Sequence, residues 1–538
     1  MQDSYDVIII GGGITGASLL YMLSRYTDAK RILLLEKFGS SFAISLGPIF
    51  FKPGKMCLSP ESYILSSFWI SSSPTPRTEV DAMQDSYDVI IIGGGITGAS
   101  LLYMLSRYAD AKRILLLEKF ESFAALNSNS INNAQTLHFG DIETNYSLEK
   151  SRETKEEAEI VLKYLSMLPR KEYDSITKKC GKMVLGVGED EIQKLDKIYD
   201  SGLKHIFPGL KKIGPNEIAK LEPNVMKKRA MDEKVQALKS DNGQMMDFRN
   251  LTYSFIKRAK LASKGRVSIK LNTTVTSIEG SQGEFQILAN GKKYHSKFVV
   301  FCSGSYSLYF AKMMGYEKNL SILCVGGNFY TSPKVLNGKV YRVQMGGIPF
   351  AAVHGDPDIT NPRITRFGPT VSIYPELEKG NSSTFSDYMK TFDFDLATTS
   401  SLFNILLNKD IRRILWNNMF YDMPGIGTGI FLKNEVSKIV PSLTVDDVKL
   451  APQMGGIRPQ IIDENKKALV LGESKIKEQG IIFNITPSPG ATSCLASAIE
   501  DTSYICDQMG LNLDIKAIER NLVNKDSMPI TMRKLKNW

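Results

Sequence analysis

One near-verbatim repeat constrains this chain more than any other feature: Met1 to Phe38 returns as Met83 to Phe120, altered only where Thr27 becomes Ala109. Each copy reads as a strand, a glycine turn, a helix and a second strand. A parallel sheet has one central slot for such a unit, so two copies compete for it, and the loser would expose apolar faces and an unpaired strand edge. In the second copy Tyr87 to Ile92 ends in a β-branched run, Gly93 to Gly98 breaks it, Ile96 to Tyr108 has helical periodicity, and Arg113 to Glu118 is a second apolar strand. The first copy runs instead into Gly39 to Ala82, a Ser, Pro and aromatic mixture with no helix or strand period. Three readings of the duplication follow, in this order: a duplicated first exon or start site with Met83 as the working start, an extra unit displaced from the sheet, or two separate cofactor sites.

Gly93, Gly95 and Gly98 fit GxGxxG between strand and helix: the first permits the tight turn, the second lets backbone approach a pyrophosphate, and the third lets helix and strand pack closely. The helix then presents unpaired N–H groups to the phosphates. Glu118 ends the second strand, twenty residues after Gly98, where a carboxylate accepts the hydroxyls of an adenosine ribose. So far NAD and FAD are both open. Three later segments favour FAD: Thr274-Val275-Thr276, where backbone could meet adenine; Val299 to Gly304, a strand ending in small residues near the pyrophosphate; and Thr486 to Thr492, where Gly490, Ala491 and Thr492 precede a helix whose first amides could face a flavin ring.

The 538 residues are 43% apolar, enough for roughly two to four domains. The expected class is α/β, with a discontinuous Rossmann-like FAD-binding domain (83–150, 240–306 and 451–510) and a mixed-sheet and helical substrate or cap domain (151–239 and 307–450). Residues 1–82 stand apart, and 511–538 form a basic tail. Ser151 to Met167 reads as an amphipathic helix, and Arg266 to Leu288 as a strand hairpin. Lys and Arg exceed Asp and Glu by 67 to 57, a formal charge of +10, which suits an anionic partner. The lysines are scattered and not interleaved with aromatics, so the expectation is a solvated surface or membrane phosphates and no nucleic acid. Six cysteines without a CxxC pair argue against a disulfide framework or a zinc site and suit a reducing compartment. No run reaches the eighteen or so apolar residues of a spanning helix, so any membrane contact is expected to be peripheral.

From Ser86 to Asp507 the chain resembles the FAD-dependent malate:quinone oxidoreductases. The segments that carry the resemblance are GGGITGAS at the turn, NSNSINNAQTLHFGDIETNY from Asn127 to Tyr146, DNGQMMDF from Asp241 to Phe248, VHGDPDITNPRITRFGPT from Val353 to Thr370, PQMGGIRPQIID from Pro452 to Asp463, and NITPSPGATSCLASAIED from Asn484 to Asp501. The resemblance implies oxidation of (S)-malate to oxaloacetate, with electrons passing through FAD to a membrane quinone. It also implies a peripheral place on the mitochondrial inner membrane, a cytoplasmic location being the alternative. The rivals are another FAD-dependent 2-hydroxyacid dehydrogenase, such as an L-2-hydroxyglutarate type, and a non-catalytic flavin-binding protein. Residues 1–82 have no counterpart in the family pattern.

Such chemistry asks for a base at the substrate hydroxyl and for cations at two carboxylates. His354, in a loop-like VHGDPD, is the first candidate base, with Asp356 to orient it. His138, after the second strand, is the other; His205 and His295 sit in lysine-rich surface contexts. The HxDxD pattern lacks a fourth ligand, so no metal is expected. Arg458 is the candidate carboxylate clamp, its guanidinium able to make two parallel hydrogen bonds. Arg363 or Arg366 would serve the second carboxylate, and the sequence does not choose between them. Leu402 to Tyr421 places Phe403, Leu406, Leu407, Ile411, Ile414 and Leu415 on one helical face, to pack in the core or lie on a membrane. Arg533, Lys534, Lys536 and Trp538 could add surface attraction.

Overall fold

The computed structural model describes residues 85–317, 319–344, 352–392, 409–466, 468–470, 474–486 and 490–524, together with six short strands before residue 57. The chain divides into two units, Met1–Arg77 and Thr78–Trp538. In the first, Val7–Ile10 pairs in parallel with Ile32–Leu35 as a two-stranded sheet, and the glycine turn and helix of that copy lie outside the described residues.

In the second unit, β1 (Ser86–Ile92), α1 (Ile96–Tyr108) and β2 (Ile114–Leu117) take the centre of a large sheet. Every residue from Val89 to Ile92 is buried, and an all-β-branched run demands such cover on both faces. β1 lies between β2 (Val89 opposite Ile114) and Lys292–Phe301 (Val89 opposite Phe298), both parallel to it. Val267–Lys270 continues the sheet beyond β2, and Ile481–Ile485 joins the second half of Lys292–Phe301, again in parallel. Five parallel strands from three separated stretches of chain therefore end at one edge.

The hairpin expected over Arg266 to Leu288 is two different things. Val267–Lys270 is a parallel strand on β2, and the hairpin is Val275–Ser281 with Glu284–Ala289. The two are separated at Asn272, whose φ of 49° lies in the left-handed region and turns the chain out of the first strand. The amphipathic helix expected at Ser151 to Met167 is Leu148–Ser166, started by Ser147, whose hydroxyl accepts from the Lys150 N–H at 3.1 Å. Behind the parallel strands α1 packs on Phe248–Ser263, with the Tyr103 ring stacked 5.8 Å from Phe255 and edge-on to Tyr164 at 5.3 Å.

An eight-stranded sheet of residues 182–451 has the order Lys211–Ile213, Val235–Ser240, Lys182–Val187, Lys339–Arg342, His354–Pro357, Ile364–Gly368, Phe329–Pro333, Lys449–Ala451. A four-stranded sheet adds Ile457–Asp463 beside Leu320–Gly326. The eight-stranded sheet carries buried ions that have partners. Lys182 Nζ is 2.6 Å from Asp141 Oδ1 with neither side chain exposed, and Lys339 Nζ is 3.2 Å from Asp356 and donates to the Ala134 carbonyl at 3.0 Å. Of the helix expected over Leu402 to Tyr421, Lys409–Tyr421 is observed; Phe403, Leu406 and Leu407 lie outside the described residues, as do the side chains of Ile411, Ile414 and Leu415 and the tail residues Arg533, Lys534, Lys536 and Trp538. No described helix is long and apolar enough to cross a membrane.

Candidate active site

A cavity of about 460 Å³ opens where the parallel strands end, walled by Ile92 and Gly93 after β1, Leu117 and Glu118 after β2, and Cys302 and Thr486 after the two neighbouring strands. Ligands of open α/β sheets bind at that edge, because loops there diverge and the helix amides point into the gap. The three glycines divide by what constrains them. Gly93 has a φ of +111°, and an added Cβ would overlap the Cys302 carbonyl; a Cβ on Gly98 would overlap the Gly93 carbonyl. A Cβ on Gly95 would meet only Ser128 Oγ, at 3.2 Å, so its missing side chain leaves space on the cavity side. Ser128 Oγ accepts from the Ile96 N–H at 3.0 Å, at the start of α1.

Glu118 borders the same space. Its carboxylate accepts from the N–H of Gly94 at 2.6 Å and of Phe120 at 2.8 Å, so it braces the turn as well as facing the cavity, and burial raises its pKa. Val275 with its neighbours, Gly304, and Gly490, Ala491 and Thr492 border the cavity too. A dinucleotide therefore fits: a turn free of Cβ, helix amides, a ribose-facing carboxylate and small-residue walls meet in one space. Gly98→Ala is expected to cost about 1–3 kcal/mol of stability through backbone overlap, lowering the melting temperature with or without flavin. Gly95→Ala should melt like the parent when flavin-free and hold less flavin, read as the flavin-to-protein absorbance ratio.

Arg458 is the residue of this wall whose state matters most. It lies on Ile457–Asp463, opposite Val325, and its guanidinium makes no hydrogen bond or ion pair within the described residues. Burial pulls its pKa down, and the phenols of Tyr341 and Tyr146 act against that. The loop that delivers it is tightly held: Asn127 Oδ1 accepts from the Ile457 N–H at 3.1 Å, and Lys379 Nζ donates to the carbonyls of Gly327 at 3.0 Å and Met454 at 2.9 Å. Burial brings Lys379 down to about 8.

His138 is on the same wall. Its N–H donates to Thr492 Oγ1 at 3.1 Å, and its Nδ1 is 2.5 Å from Glu143 Oε1. Burial would raise Glu143, but His138 and then Lys182 hold it below the usual carboxylate value. His354 is placed differently from the expectation. HGDP is a fully buried strand and not a loop, and the His354 ring, 1% exposed, is stacked 4.6 Å from Tyr341 and lies outside the residues that wall the cavity. Its Nδ1 is 2.6 Å from Asp356 Oδ2, at ion-pair distance without hydrogen-bond alignment. Burial lowers the pKa of His354 against the pull of Asp356, and the charges of Lys339 and Arg458 lower it further. Asp356, which burial alone would raise, is held at about 2 by His354 and Lys339.

Of the two arginines left open for a second carboxylate, neither reaches the wall. Arg363 is exposed just before its strand. Arg366 is buried over the Phe329 ring at 4.0 Å and donates to the carbonyls of Ser130, Ile131 and Asn133 and to Asp358, so its fork is spent on fastening the 130–133 segment. His205 and His295 are also away from the wall. Among the described residues no group of three or more His, Cys, Asp or Glu could hold a metal ion. Sequence reasoning missed Glu143, Lys339, Tyr341 and Lys379; only the i+5 step from His138 to Glu143 was short enough to have been noticed.

The family model described as FAD dependent oxidoreductase matches residues 88–500. A probable malate:quinone oxidoreductase of Campylobacter jejuni is 37% identical over 80% of this chain and 98% of its own length, and the malate:quinone oxidoreductase of Helicobacter pylori is 36% identical over 82% and 98%. The bovine mitochondrial L-2-hydroxyglutarate dehydrogenase is 25% identical over 77% and 88%. Among solved structures, the FAD-bound L-α-glycerophosphate oxidase of Mycoplasma pneumoniae aligns with a TM-score of 0.54 at 19% identity, over 78% of this chain and 95% of that one.

Proposed function

Since the chain belongs to the FAD-dependent oxidoreductases and, within them, to the malate:quinone oxidoreductase family, we propose that it oxidises (S)-malate to oxaloacetate and delivers the electrons to a membrane quinone. The cofactor is FAD, for which the glycine turn, Glu118 and Gly490 to Thr492 supply the cradle. When bound, FAD supplies the two-electron acceptor for the hydrogen on C2 of the substrate.

The observation that supports this reading most is the half-buried Arg458 guanidinium, which has no hydrogen bond or ion pair among the described residues and shares one cavity wall with His138. A cavity-facing guanidinium with no carboxylate partner among the described residues is open to an incoming anion, and its planar fork matches a carboxylate. Arg458 binds a malate carboxylate, and that contact orients the substrate hydroxyl. His138 accepts the hydroxyl proton, while Glu143 at its Nδ1 fixes the ring and stabilises the cation that results. The His354, Asp356 and Lys339 group lies outside the cavity wall with His354 stacked on Tyr341, and Lys339 and Arg458 both disfavour a positive charge at His354.

The test is anaerobic addition of (S)-malate to the purified flavoprotein, followed by turnover with a water-soluble quinone. Malate is expected to bleach the flavin band and to sustain turnover. Faster turnover of L-2-hydroxyglutarate would overturn the substrate, and no bleaching by either acid would overturn the activity.

A further inference from the structure

Of eleven large apolar side chains exposed among the described residues, four fall between positions 416 and 426: Trp416 at 61%, Met419 at 54%, Met423 at 42% and Ile426 at 53% exposed. Arg412, Trp416 and Met419 step by four and three residues as a stripe on one face of Lys409–Tyr421, and Met423 and Ile426 are exposed in the turn that follows it. The other side of the helix is fastened to the protein. Asn418 is buried and its Oδ1 accepts from the Val371 N–H at 2.6 Å, while Tyr421 is buried with its hydroxyl donating to Glu435 at 3.0 Å and its ring edge-on to Phe431 at 5.2 Å. A helix so anchored has no freedom to turn its tryptophan and methionines inward.

Both arginines at the start of the stripe, Arg412 and Arg413, are exposed, and the chain carries a formal charge of +10. Apolar residues flanked by arginine on one helix face match the layering of an anionic bilayer surface, where aromatic and apolar groups sink about 5–10 Å and cations stay at the phosphates. The stripe is also tied to the catalytic wall. Val371, held by Asn418, borders a narrow cleft together with Asn132, Gly456 and Arg458, and those three also wall the main cavity.

We propose that this stripe, Arg412 and Arg413 with Trp416, Met419, Met423 and Ile426, is the surface by which the protein lies on an anionic lipid bilayer, so that the cleft beside Arg458 faces the membrane that holds the acceptor. The proposal rests on the membrane-quinone reading above and adds to it the face that docks.

The flavin-loaded full chain and the triple variant Trp416→Ser, Met419→Ser, Met423→Ser would be sedimented with phosphatidylcholine vesicles, with and without phosphatidylglycerol. The parent should partition onto the anionic vesicles and the triple variant at least ~tenfold less. Arg412→Gln with Arg413→Gln should abolish the difference between the two vesicle types. Trp416→Phe, which keeps an apolar ring, should bind like the parent. All variants should keep malate turnover with a water-soluble quinone, and the triple variant should lose it with a long-chain quinone confined to vesicles. A triple variant that partitions like the parent overturns the proposal, as does a parent that ignores vesicle charge. A parent dimer that the triple substitution splits without changing vesicle binding makes the stripe an interface between copies and also overturns it. Failure of turnover with the soluble quinone would instead strike the malate reading, and vesicle binding would still be scored separately.

Discussion

Arg458→Leu is expected to keep its flavin and lose about 2–5 kcal/mol of transition-state binding, roughly 30- to 4,000-fold in kcat/KM for malate. The loss should fall on both KM and kcat, because a carboxylate that is no longer gripped is neither bound nor aligned. Arg458→Lys should recover only part of it, since an ammonium is a single point charge where the guanidinium is a planar fork. The same leucine variant should melt no lower than the parent, because the half-buried guanidinium has no hydrogen bond or ion pair among the described residues and its removal leaves no partner stranded. Steady-state kinetics with malate and thermal melts of substrate-free protein check the two halves. A variant that turns over malate within threefold of the parent would put the carboxylate elsewhere in the cavity.

His138→Gln is expected to lower kcat by about 10²–10⁴-fold, with a smaller change in KM. Glutamine keeps a hydrogen bond for Glu143, so the buried carboxylate is not abandoned and folding should survive. His354→Gln is the contrasting variant. Its ring is stacked on Tyr341 outside the cavity wall and its work is to hold Asp356 and Lys339 in place, so this variant should cost stability and only a modest part of kcat. If kcat collapses in His354→Gln and survives in His138→Gln, the two histidines exchange roles.

The cofactor cradle was legible before any coordinates because its chemistry is local and backbone-driven. A glycine that must take a φ of +111°, or must let one carbonyl pass another, announces itself at a fixed spacing from its strand. Glu118 and the segments at Val275, Gly304 and Gly490 to Thr492 follow because every parallel strand delivers its end to the same edge. The substrate side had no such geometry to read. Arg366 and Arg458 both sit in largely apolar strands, and nothing local tells that one is consumed by the carbonyls of residues 130–133 while the other lines the cavity.

The amino-acid sequence by itself determined the α/β class, the nucleotide turn and the cofactor, since these depend on hydrophobic period and on where backbone needs a glycine. The fold alone decided that the second copy of the repeat occupies the central slot, where Val267–Lys270 and Lys292–Phe301 flank it in parallel on its two sides, and that His138 faces the cavity while His354 is walled in. Those outcomes depend on partners far away in the chain, Asp141 with Lys182, Ala134 with Lys339, Asn127 with Ile457. A buried charge or polar group is governed by what desolvates it and what pairs with it, and both are properties of the packed molecule.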